Sequence, residues 1–449
     1  MTRGIANIDR EAIMPITRRN LIKTGVGLGA LGAVGLGYWE LSKVDSKARI
    51  VIVGGGAAGT GLANQLYHFL DGISITVIDP RPYHWYQPGQ TLLLAGSYQD
   101  RDDVISANKT YLDSRTRWLQ DSVVEYRPQQ NQVVTAGGQT IAYDYLVVGA
   151  GLELRYDMIE GMDTKLIGKD GIHSIYFSPE AGIASHKAAL DFANSKGGKA
   201  VFTRPQGAMK CAGAPMKATN LVEYFVRETG HRDDFQFDYF TSEGHLFAVK
   251  VFNNKLEEIW QQRGINDHRQ HTLTAIDSAA KTATFASANG TTTTEWDFIH
   301  VVPPMSPVKS VRESELADNN TFKGYLEVDQ YTMQHKRFAN VFGIGDNVGT
   351  PIGKTAASAK SQIPVVASNI TALVTGKEPT AKWGGYTSCP MILDVGHAML
   401  WEFDYTIEPM TALPFQVVDP LAESKLAWVM EKSMIRPVYD LMLHGYTPI

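Results

Sequence analysis

The sequence has no excess of positive charge and very little cysteine. Its 42 basic and 47 acidic residues give a formal net charge of −5, so the cationic footprint that nucleic acids require is missing. Only 2 of the 449 residues are cysteines, Cys211 and Cys389. One disulfide at most is available, either structural or redox-active. No metal site is predicted, and neither is a nucleic-acid partner.

The N-terminal segment has an apolar run that is short for a membrane span. Residues 24–39 are apolar and Gly-rich, whereas a spanning helix needs about 20 apolar residues. The run follows the adjacent pair Arg18 and Arg19, which is typical of a twin-arginine signal. We predict that residues 1–47 are an export signal or an uncleaved anchor. The alternative is a cytoplasmic N-terminal helix. Export would place both cysteines in an oxidising compartment.

A glycine-rich turn follows the first strong strand signal. Residues 48–53 form a β-branched apolar run, and Gly54, Gly56 and Gly59 come directly after it, before a helical pattern. Glycines at this spacing permit a tight turn, a close approach to a pyrophosphate, and close packing of helix on strand. Asp79 ends the next strand, about 20 residues later, where it can accept a hydrogen bond from a ribose. The unit predicts dinucleotide binding.

A second pattern occurs twice in the chain. Residues 122–150 and 273–304 each contain short strands with turn residues and then return to an apolar strand. The strand at 341–346 completes the first unit. The pattern predicts an α/β fold with two Rossmann-like domains, the second inserted in the first, and a C-terminal amphipathic helical tail. The predicted domains are a signal or anchor at 1–47, an FAD-binding domain built from 48–155 and 320–385, a second Rossmann-like domain at 156–319, and a quinone and membrane segment at 386–449.

The second unit lacks the glycine turn of the first. Its strand at 199–203 continues into Arg204 and the residues up to Cys211 without a GxGxxG spacing. A nicotinamide cofactor normally needs that turn for its pyrophosphate. We therefore expect that this domain does not bind NAD(P)H and presents a cysteine instead.

Several stretches of the chain resemble the sulfide:quinone oxidoreductases, in particular the mitochondrial-like type. This family belongs to the flavoproteins with two dinucleotide-binding domains. The two cysteine motifs are the most specific parts of the resemblance, which extends over roughly residues 48 to 446. The matching stretches are 86–92, 171–176, 210–217, 302–307, 343–346, 353–357, 386–390 and 402–405.

The resemblance implies that the cofactor is FAD. The binding would be non-covalent, because both cysteines are assigned to the redox pair and none is left to tether a flavin. Asp346 would bind the ribityl chain, and Lys354 and Thr355 would open a helix whose N-terminus faces the flavin. The residues implied for FAD binding are Gly54, Gly56, Gly59, Asp79, Gly149, Gly345, Asp346, Lys354 and Thr355.

The same resemblance implies that Cys211 and Cys389 are the catalytic pair. Hydrogen sulfide would attack their disulfide, Cys389 would carry the sulfane sulfur, Cys211 would attack the flavin ring, and electrons would pass through FAD to a membrane quinone. The thiolate does this chemistry, so Lys210 or Lys217 is expected to supply positive charge unless both are solvated. The sulfane-sulfur acceptor and the oligomeric state are left open. Four histidines are candidates for proton handling but are interpreted as structural: His84, His173, His300 and His397.

The C-terminal tail supplies apolar candidates for the quinone site. Phe403 and Tyr405 are the named residues. The runs 426–430 and 434–443 place aromatic residues and methionines opposite Glu431, Lys432 and Arg436. Such helices can lie in a membrane interface, and the alternative is a core or dimer helix. We expect a protein on the periplasmic side of a bacterial cytoplasmic membrane, peripheral or anchored at its N-terminus.

Three other functions are consistent with parts of the sequence. One is the flavin subunit of a cytochrome-linked sulfide dehydrogenase, whose relatives also carry twin-arginine signals but tether their flavin. Another is an NADH:quinone oxidoreductase-like flavoprotein, which the missing second glycine turn disfavours. The third is an exported flavoprotein with a structural disulfide and no turnover.

Overall fold

The structure is a computed structural model that describes residues 43–410 and 418–447. The predicted twin-arginine segment therefore lies almost entirely outside the described residues. The α-helices of the described part are numbered in chain order: α1 Ala57–Phe69, α2 Gln90–Leu94, α3 Pro179–Ala193, α4 Ala214–Glu228, α5 Lys250–Gln262, α6 Lys309–Arg312, α7 Ala356–Val374, α8 Lys425–Val429 and α9 Ile435–Leu443.

The first of two large sheets carries the glycine turn. Its β-branched strands are buried, as a parallel strand covered on both faces must be. Helices α1 and α7 pack against each other beside it. All five strands are parallel, in the order Val341–Gly343, Tyr145–Val148, Arg49–Val53, Ser74–Ile78 and Arg117–Leu119.

The second large sheet is also parallel and five-stranded. All of its strands come from the stretch of chain between the two segments that build the first sheet. Their order is Ile172–His173, Phe298–His300, Gly198–Arg204, Phe235–Thr241 and Ile265–Arg269. The α/β class is confirmed, whereas the domain boundaries stay a prediction.

Smaller antiparallel sheets accompany the two large ones. The two predicted meanders are confirmed, and each returns to a strand of a large sheet. The three-stranded sheets are Val123–Arg127 with Gln132–Thr135 and Thr140–Ala142, then Thr272–Asp277 with Thr282–Ser287 and Gly290–Glu295, and Thr387–Asp394 with His397–Phe403 and Pro409–Met410. Two short antiparallel pairs join Tyr83–Trp85 to Ile105–Ala107 and Leu152–Leu154 to Met305–Pro307, whereas the short pair of Val44–Asp45 with Leu70–Asp71 is parallel.

The C-terminal tail has apolar side chains on its exposed side as well as on its buried side. Helices α8 and α9 are joined by a π-helical turn, Met430–Met434, and α9 packs against α1. The expectation that Glu431 belongs to a polar outer face is wrong, because only 4% of this residue is exposed. The exposed apolar residues of the tail are Leu421, Leu426, Val429, Met434, Val438 and Leu441. Within the described residues, no helix is both long and apolar enough to cross a membrane.

Candidate active site

A large cavity lies where the glycine turn, the segment before α4, the N-terminus of α7 and the C-terminal tail come together. It holds about 1490 Å³ of space free of protein atoms, its open mouth included. Its wall includes the glycine turn, which is a feature of dinucleotide-binding sites. Of the predicted site residues, those on its wall are Gly56, Gly149, Cys211, Gly345, Asp346, Lys354, Thr355 and Cys389.

The glycine turn needs its glycines for two different reasons. A Cβ on Gly59 would lie 1.9 Å from the Gly54 carbonyl oxygen, and a Cβ on Gly54 would lie 2.2 Å from the Gly149 oxygen. These two residues allow backbone to approach backbone. A Cβ on Gly56 would meet no atom of the described residues within 4 Å, and this residue lines the cavity. Its glycine leaves room for a ligand.

Asp79 is placed differently from the expectation. Its carboxylate accepts hydrogen bonds from the Gly55 N–H at 2.8 Å and from the Arg81 N–H at 2.8 Å, and the Arg81 guanidinium lies 3.3 Å away. Asp79 is 4% exposed and does not line the cavity, whereas Gly55 and Arg81 do. The carboxylate therefore orders the turn, and its ribose contact stays a prediction.

Asp346 follows the first-sheet strand that ends at Gly343 and faces the cavity. Among the described residues no hydrogen-bond donor reaches its carboxylate. Burial raises the pKa of Asp346, although the cations of Lys354 and Lys210 act in the opposite direction. An acceptor without a donor on a cavity wall fits a polyhydroxyl ligand.

The N-terminus of α7 opens onto the same cavity. Thr355 is its cap, and the Thr355 hydroxyl oxygen accepts a hydrogen bond from the Ser358 N–H at 3.1 Å. Lys354 is 6% exposed and donates to the Val348 carbonyl at 2.9 Å. Burial lowers the pKa of Lys354 to about 8, and Asp346 opposes this shift. Lys354 is therefore a buried group of the site rather than a solvated surface lysine.

Cys211 sits in a strained turn just before α4. Its φ is +47°, a left-handed conformation that is uncommon for a residue with a side chain. Three hydrogen bonds hold the turn: the Cys211 N–H donates to the Lys354 oxygen at 2.9 Å, and its carbonyl accepts from the Ala214 N–H at 2.9 Å and the Tyr176 hydroxyl at 2.8 Å. The thiol is fixed at the N-terminus of a 15-residue helix.

Cys389 belongs to the strand Thr387–Asp394 and packs onto the same turn. It is 5% exposed and stands opposite Trp401 in the antiparallel register. A Cβ on Gly213 would lie 2.2 Å from the Cys389 sulfur, so only glycine fits there. Gly213 is thus the reason that this sulfur can rest against the segment that carries Cys211.

The two thiols are free in this structure and differ in their electrostatics. A hydrogen bond from Cys389 is the largest cause that lowers the pKa of Cys211; the Lys217 cation and the Ala214 N–H add to it, and burial opposes it. The same hydrogen bond, together with burial, raises the pKa of Cys389 well above its ordinary value. Cys211 is the thiolate partner. The redox disulfide itself stays a prediction.

Lys217 and Glu431 are ionisable residues that line the same cavity as the two cysteines. Lys217 is 4% exposed on α4, which rules out a solvated lysine. Burial disfavours its charge, but Cys211, Cys389 and Glu431 together raise the pKa of Lys217 above its ordinary value. Lys210 instead donates a hydrogen bond to Gln87 at 2.7 Å.

Two other polar groups on the cavity wall were not among the predicted site residues. Both side-chain polar atoms of Gln90 are buried without a partner in the described part, and so is Oε2 of Glu431. Gln90 lies in the stretch 86–92 that carried part of the family resemblance, which could have pointed to it. Glu431 stands in an apolar run, and no local pattern distinguishes it from a surface residue.

The histidine interpretation agrees with the structure. Burial lowers the pKa of His84 and of His173 to about 4 and that of His300 to about 3, so all three are neutral. His84 is hydrogen-bonded to the Tyr439 hydroxyl at 2.7 Å. His397 pairs with Asp394 away from the cavity.

The predicted quinone residues do not lie on the main cavity. Phe403 lines a second cavity, next to Phe247, and the Tyr405 hydroxyl donates to the Gln330 carbonyl at 2.9 Å. Cys389, Lys354 and Thr355 line both cavities, so the Cys389 side chain stands between them.

Comparisons with known proteins agree with this geometry. The model of the pyridine nucleotide-disulphide oxidoreductase family matches residues 48–201. The mitochondrial sulfide:quinone oxidoreductase of Dictyostelium discoideum is 36% identical over 410 residues, 90% of this chain and 88% of that protein. The mitochondrial protein of the same name from Mus musculus is 32% identical over 405 residues, 88% of this chain and 86% of that one. The X-ray structure of the sulfide:quinone oxidoreductase from Aquifex aeolicus has a TM-score of 0.72 at 21% identity, covers 89% of this chain and 92% of that chain, and shows a shared fold.

Proposed function

This chain belongs to the sulfide:quinone oxidoreductase family, and on that premise we propose that it oxidises hydrogen sulfide at Cys211 and Cys389 and passes the electrons through FAD to a quinone. The membership makes the chain an oxidoreductase and confirms the resemblance to the mitochondrial type. The proposal rests on one observation, which is that both cysteines and the glycine turn line the same cavity.

The residues of the cavity fit a flavin dinucleotide. The backbone at Gly56 and the N-terminus of α1 would hold its pyrophosphate, and Asp346 would accept hydrogen bonds from the ribityl hydroxyls. The N-terminus of α7, capped by Thr355, would face the ring. The flavin would be bound non-covalently, because its chemistry needs both cysteines as a redox pair.

The difference between the two thiols sets the direction of sulfide attack. In the oxidised pair, sulfide attacks one sulfur of the disulfide and the other leaves as a thiolate. The sulfur whose thiolate is better stabilised leaves faster, and here that is Cys211, at the N-terminus of α4 and beside Lys217. We therefore assign the sulfane sulfur to Cys389. One S–S bond breaks, another forms, and the products are a Cys389 persulfide and a Cys211 thiolate.

The flavin, when bound, supplies a two-electron acceptor that reoxidises this pair and hands the electrons to quinone. The protein holds the Cys211 thiolate through Lys217 and the N-terminus of α4 until that transfer. It also keeps water away, since Cys389 and Lys217 are each at most 5% exposed.

The second cavity offers a separate route for the sulfane sulfur. It reaches Cys389 and is lined by Arg204, Glu243 and His245, of which Arg204 and Glu243 form an ion pair at 3.4 Å. The Nε of Arg204 is buried without a partner in the described part. A buried guanidinium N–H favours an anionic acceptor. We propose that the acceptor approaches Cys389 through this cavity.

The tail side of the main cavity suits a quinone better than Phe403 and Tyr405 do. Trp85, Pro88 and Ile435 line it there, next to the tail with its exposed apolar residues. We propose that this face rests on a membrane surface as a peripheral contact. Replacing Leu426 and Val438 by serine should weaken sedimentation with lipid vesicles and leave flavin content unchanged.

The cellular location is a separate proposal. Export to the periplasmic side rests on Arg18 and Arg19, which lie outside the described residues, whereas two of the relatives are mitochondrial by name. Replacing both arginines by lysine should keep the protein in the cytoplasmic fraction of an expressing bacterium if the export signal is real. An unchanged distribution would remove that proposal.

An anaerobic titration with sulfide tests the function directly. We expect wild-type protein to lose its flavin absorbance and to recover it on addition of a soluble quinone. Cys211→Ala and Cys389→Ala should keep the flavin but lose this response. Retained turnover in both variants would overturn the mechanism. Faster bleaching by NADH than by sulfide would favour the NADH:quinone alternative, and co-purification with a haem subunit would favour the cytochrome-linked one.

A further inference from the structure

Glu431 is a buried carboxyl group without a hydrogen bond on one of its oxygens. It is 4% exposed, and its Oε2 has no partner among the described residues. It lines the main cavity together with Cys211, Cys389 and Lys217. A buried carboxylate with an unsatisfied oxygen is costly for stability, so its position calls for a functional reason.

The backbone around Glu431 departs from a regular helix. Met430–Met434 forms a π-helical turn between α8 and α9. Such turns are rare, and many of them lie at functional sites. Exposed residues come directly before and after the buried pair Met430 and Glu431, which continues the buried face that Ala427 and Trp428 form one turn earlier.

The charged and titratable groups around Glu431 come from five segments of the chain. Lys217 lies on α4, Cys211 in the turn before it, and Cys389 on the strand Thr387–Asp394. Tyr86 and Tyr98 approach from the segments on either side of α2. Burial raises the pKa of Glu431 to about 7, with Lys217 opposing and Cys211 adding to the shift. The group can therefore take up or release a proton at neutral pH.

We propose that Glu431 is the proton acceptor of the sulfur site, which removes a proton from dihydrogen sulfide as that molecule attacks the Cys211–Cys389 disulfide. The inference rests on the proposed function. Lys217 would hold the carboxylate between turnovers and then stabilise the Cys211 thiolate that leaves.

The step is balanced in atoms and charge. Dihydrogen sulfide forms a new S–S bond to Cys389, and the Cys389–Cys211 bond breaks with its electron pair on Cys211. One proton moves from the attacking sulfur to the Glu431 carboxylate. The products are a Cys389 persulfide, a Cys211 thiolate and a neutral Glu431, with one negative charge on each side.

The histidines of the chain are poorer candidates for this role. His84 is the one histidine on the wall of the main cavity as described, and its ring is hydrogen-bonded to Tyr439. Its pKa of about 4 makes it a weak base. A base works best when its pKa lies near the operating pH, and Glu431 meets that condition.

The test is the pH profile of flavin bleaching by sulfide in wild type and in Glu431→Gln. Glutamine has the shape of glutamate and is neutral at every pH. Wild type should give a bell-shaped profile near neutrality, because it needs an ionised Glu431 and a protonated sulfide. The variant should lose the decline on the alkaline side, since only hydrosulfide can attack, and it should be about 100-fold slower at pH 7. Glu431→Asp should restore the bell shape.

Controls separate this inference from the proposed function. Glu423→Gln makes the same change at an exposed position of the tail and should match wild type. If sulfide does not bleach the wild-type flavin, the proposed function fails. If wild type responds and Glu431→Gln keeps the bell shape and rate, Glu431 is not the proton acceptor.

A second measurement does not depend on flavin reduction. In the reduced protein, the pH midpoint for alkylation of Cys211 by iodoacetamide should fall in Glu431→Gln, because a neighbouring negative charge has been removed. Thermal unfolding of the variants confirms that they fold. An unchanged midpoint in a folded variant would mean that Glu431 does not act on the sulfur site.

Discussion

The two strand-to-helix junctions of the large sheets occupy equivalent places and perform different tasks. In the first sheet, the strand Arg49–Val53 reaches α1 through three glycines. In the second, the strand Gly198–Arg204 reaches α4 through the residues 205–213, which include Cys211. The first junction offers backbone N–H groups to a ligand, and the second offers a thiol.

Glycine is needed at both junctions, but for different neighbours. At the first, Gly59 lets a helix approach the backbone at Gly54. At the second, Gly213 lets the sulfur of Cys389 approach from a separate part of the chain. The same kind of strand-to-helix junction therefore forms a cofactor site or a sulfur site, depending on which group packs beside its glycine.

The first junction should break when Gly59 acquires a side chain. In Gly59→Ala the new Cβ would start 1.9 Å from the Gly54 oxygen, so α1 must move off the sheet. We expect a loss of about 3 kcal/mol or more in the free energy of unfolding, and little soluble holoprotein. Chemical denaturation and the flavin-to-protein ratio measure both effects.

Gly56→Ala is the matched comparison within the same turn. Its φ is −74° and its Cβ would meet no described atom within 4 Å, so the apoprotein should be as stable as wild type. The methyl group would occupy ligand space, and flavin affinity should fall. Equal flavin content in Gly56→Ala and wild type would contradict the assignment of this space to the cofactor.

The second junction should fail in catalysis rather than in cofactor binding when Gly213 is changed. In Gly213→Ala the Cβ would lie 2.2 Å from the Cys389 sulfur, which must then move by more than 1 Å to reach normal contact. A misplacement of that size costs about 100-fold in rate. We expect normal flavin content and a rate of bleaching by sulfide that is lower by about this factor.

Gly244→Ala serves as the control for that change. Gly244 is exposed, has no described neighbour within 4 Å of a Cβ, and has no positive φ. Its kinetics should equal those of wild type. A Gly213→Ala protein with wild-type kinetics would show that the approach of Cys389 to this turn is not required.

The second junction depends on the side-chain charge of Lys217 in addition to backbone N–H groups. Lys217→Met removes the cation that lowers the pKa of Cys211. The thiol pKa should rise, so less thiolate is present at neutral pH, and the pH midpoint for alkylation of Cys211 should increase by about one unit. Bleaching by sulfide at pH 7 should slow about tenfold.

Lys432→Met, on the exposed side of the tail, is the control for charge alone. It should leave the alkylation midpoint where it is in wild type. The assignment of Lys217 fails if the midpoint is the same in Lys217→Met, or if the two variants shift it equally.

The first junction could be predicted from sequence because every part of it is local. Gly54 to Gly59 follow their strand directly, and the structure places Gly56 on the cavity wall as expected. Asp79 shows the limit of that reasoning, because the spacing is right but Arg81 and Gly55 occupy its carboxylate. Spacing identifies a residue, whereas its partners depend on the packing around it.

The second junction could be predicted only in part. The family motifs pointed to Cys211 and Cys389, but the role of Gly213 depends on a contact with a strand far along the chain. We predicted Glu431 on a polar face together with Lys432 and Arg436, opposite the apolar residues of the tail. In the structure Glu431 lies one turn after the buried Ala427 and Trp428 and shares their face.

The smallest expected effect concerns a glycine that serves conformation alone. Gly207 lies in the loop of the second junction with a φ of +87°, and a Cβ there would meet no described atom within 4 Å. Gly207→Ala should therefore cost about 1 kcal/mol in the free energy of unfolding, from the left-handed backbone of a residue with a side chain. Flavin content and bleaching by sulfide should stay at wild-type values, in contrast to Gly213→Ala six residues later. If Gly207→Ala slows the reaction as much as Gly213→Ala does, the whole loop acts on the sulfurs, and the contact with Cys389 is not the particular reason for glycine at 213.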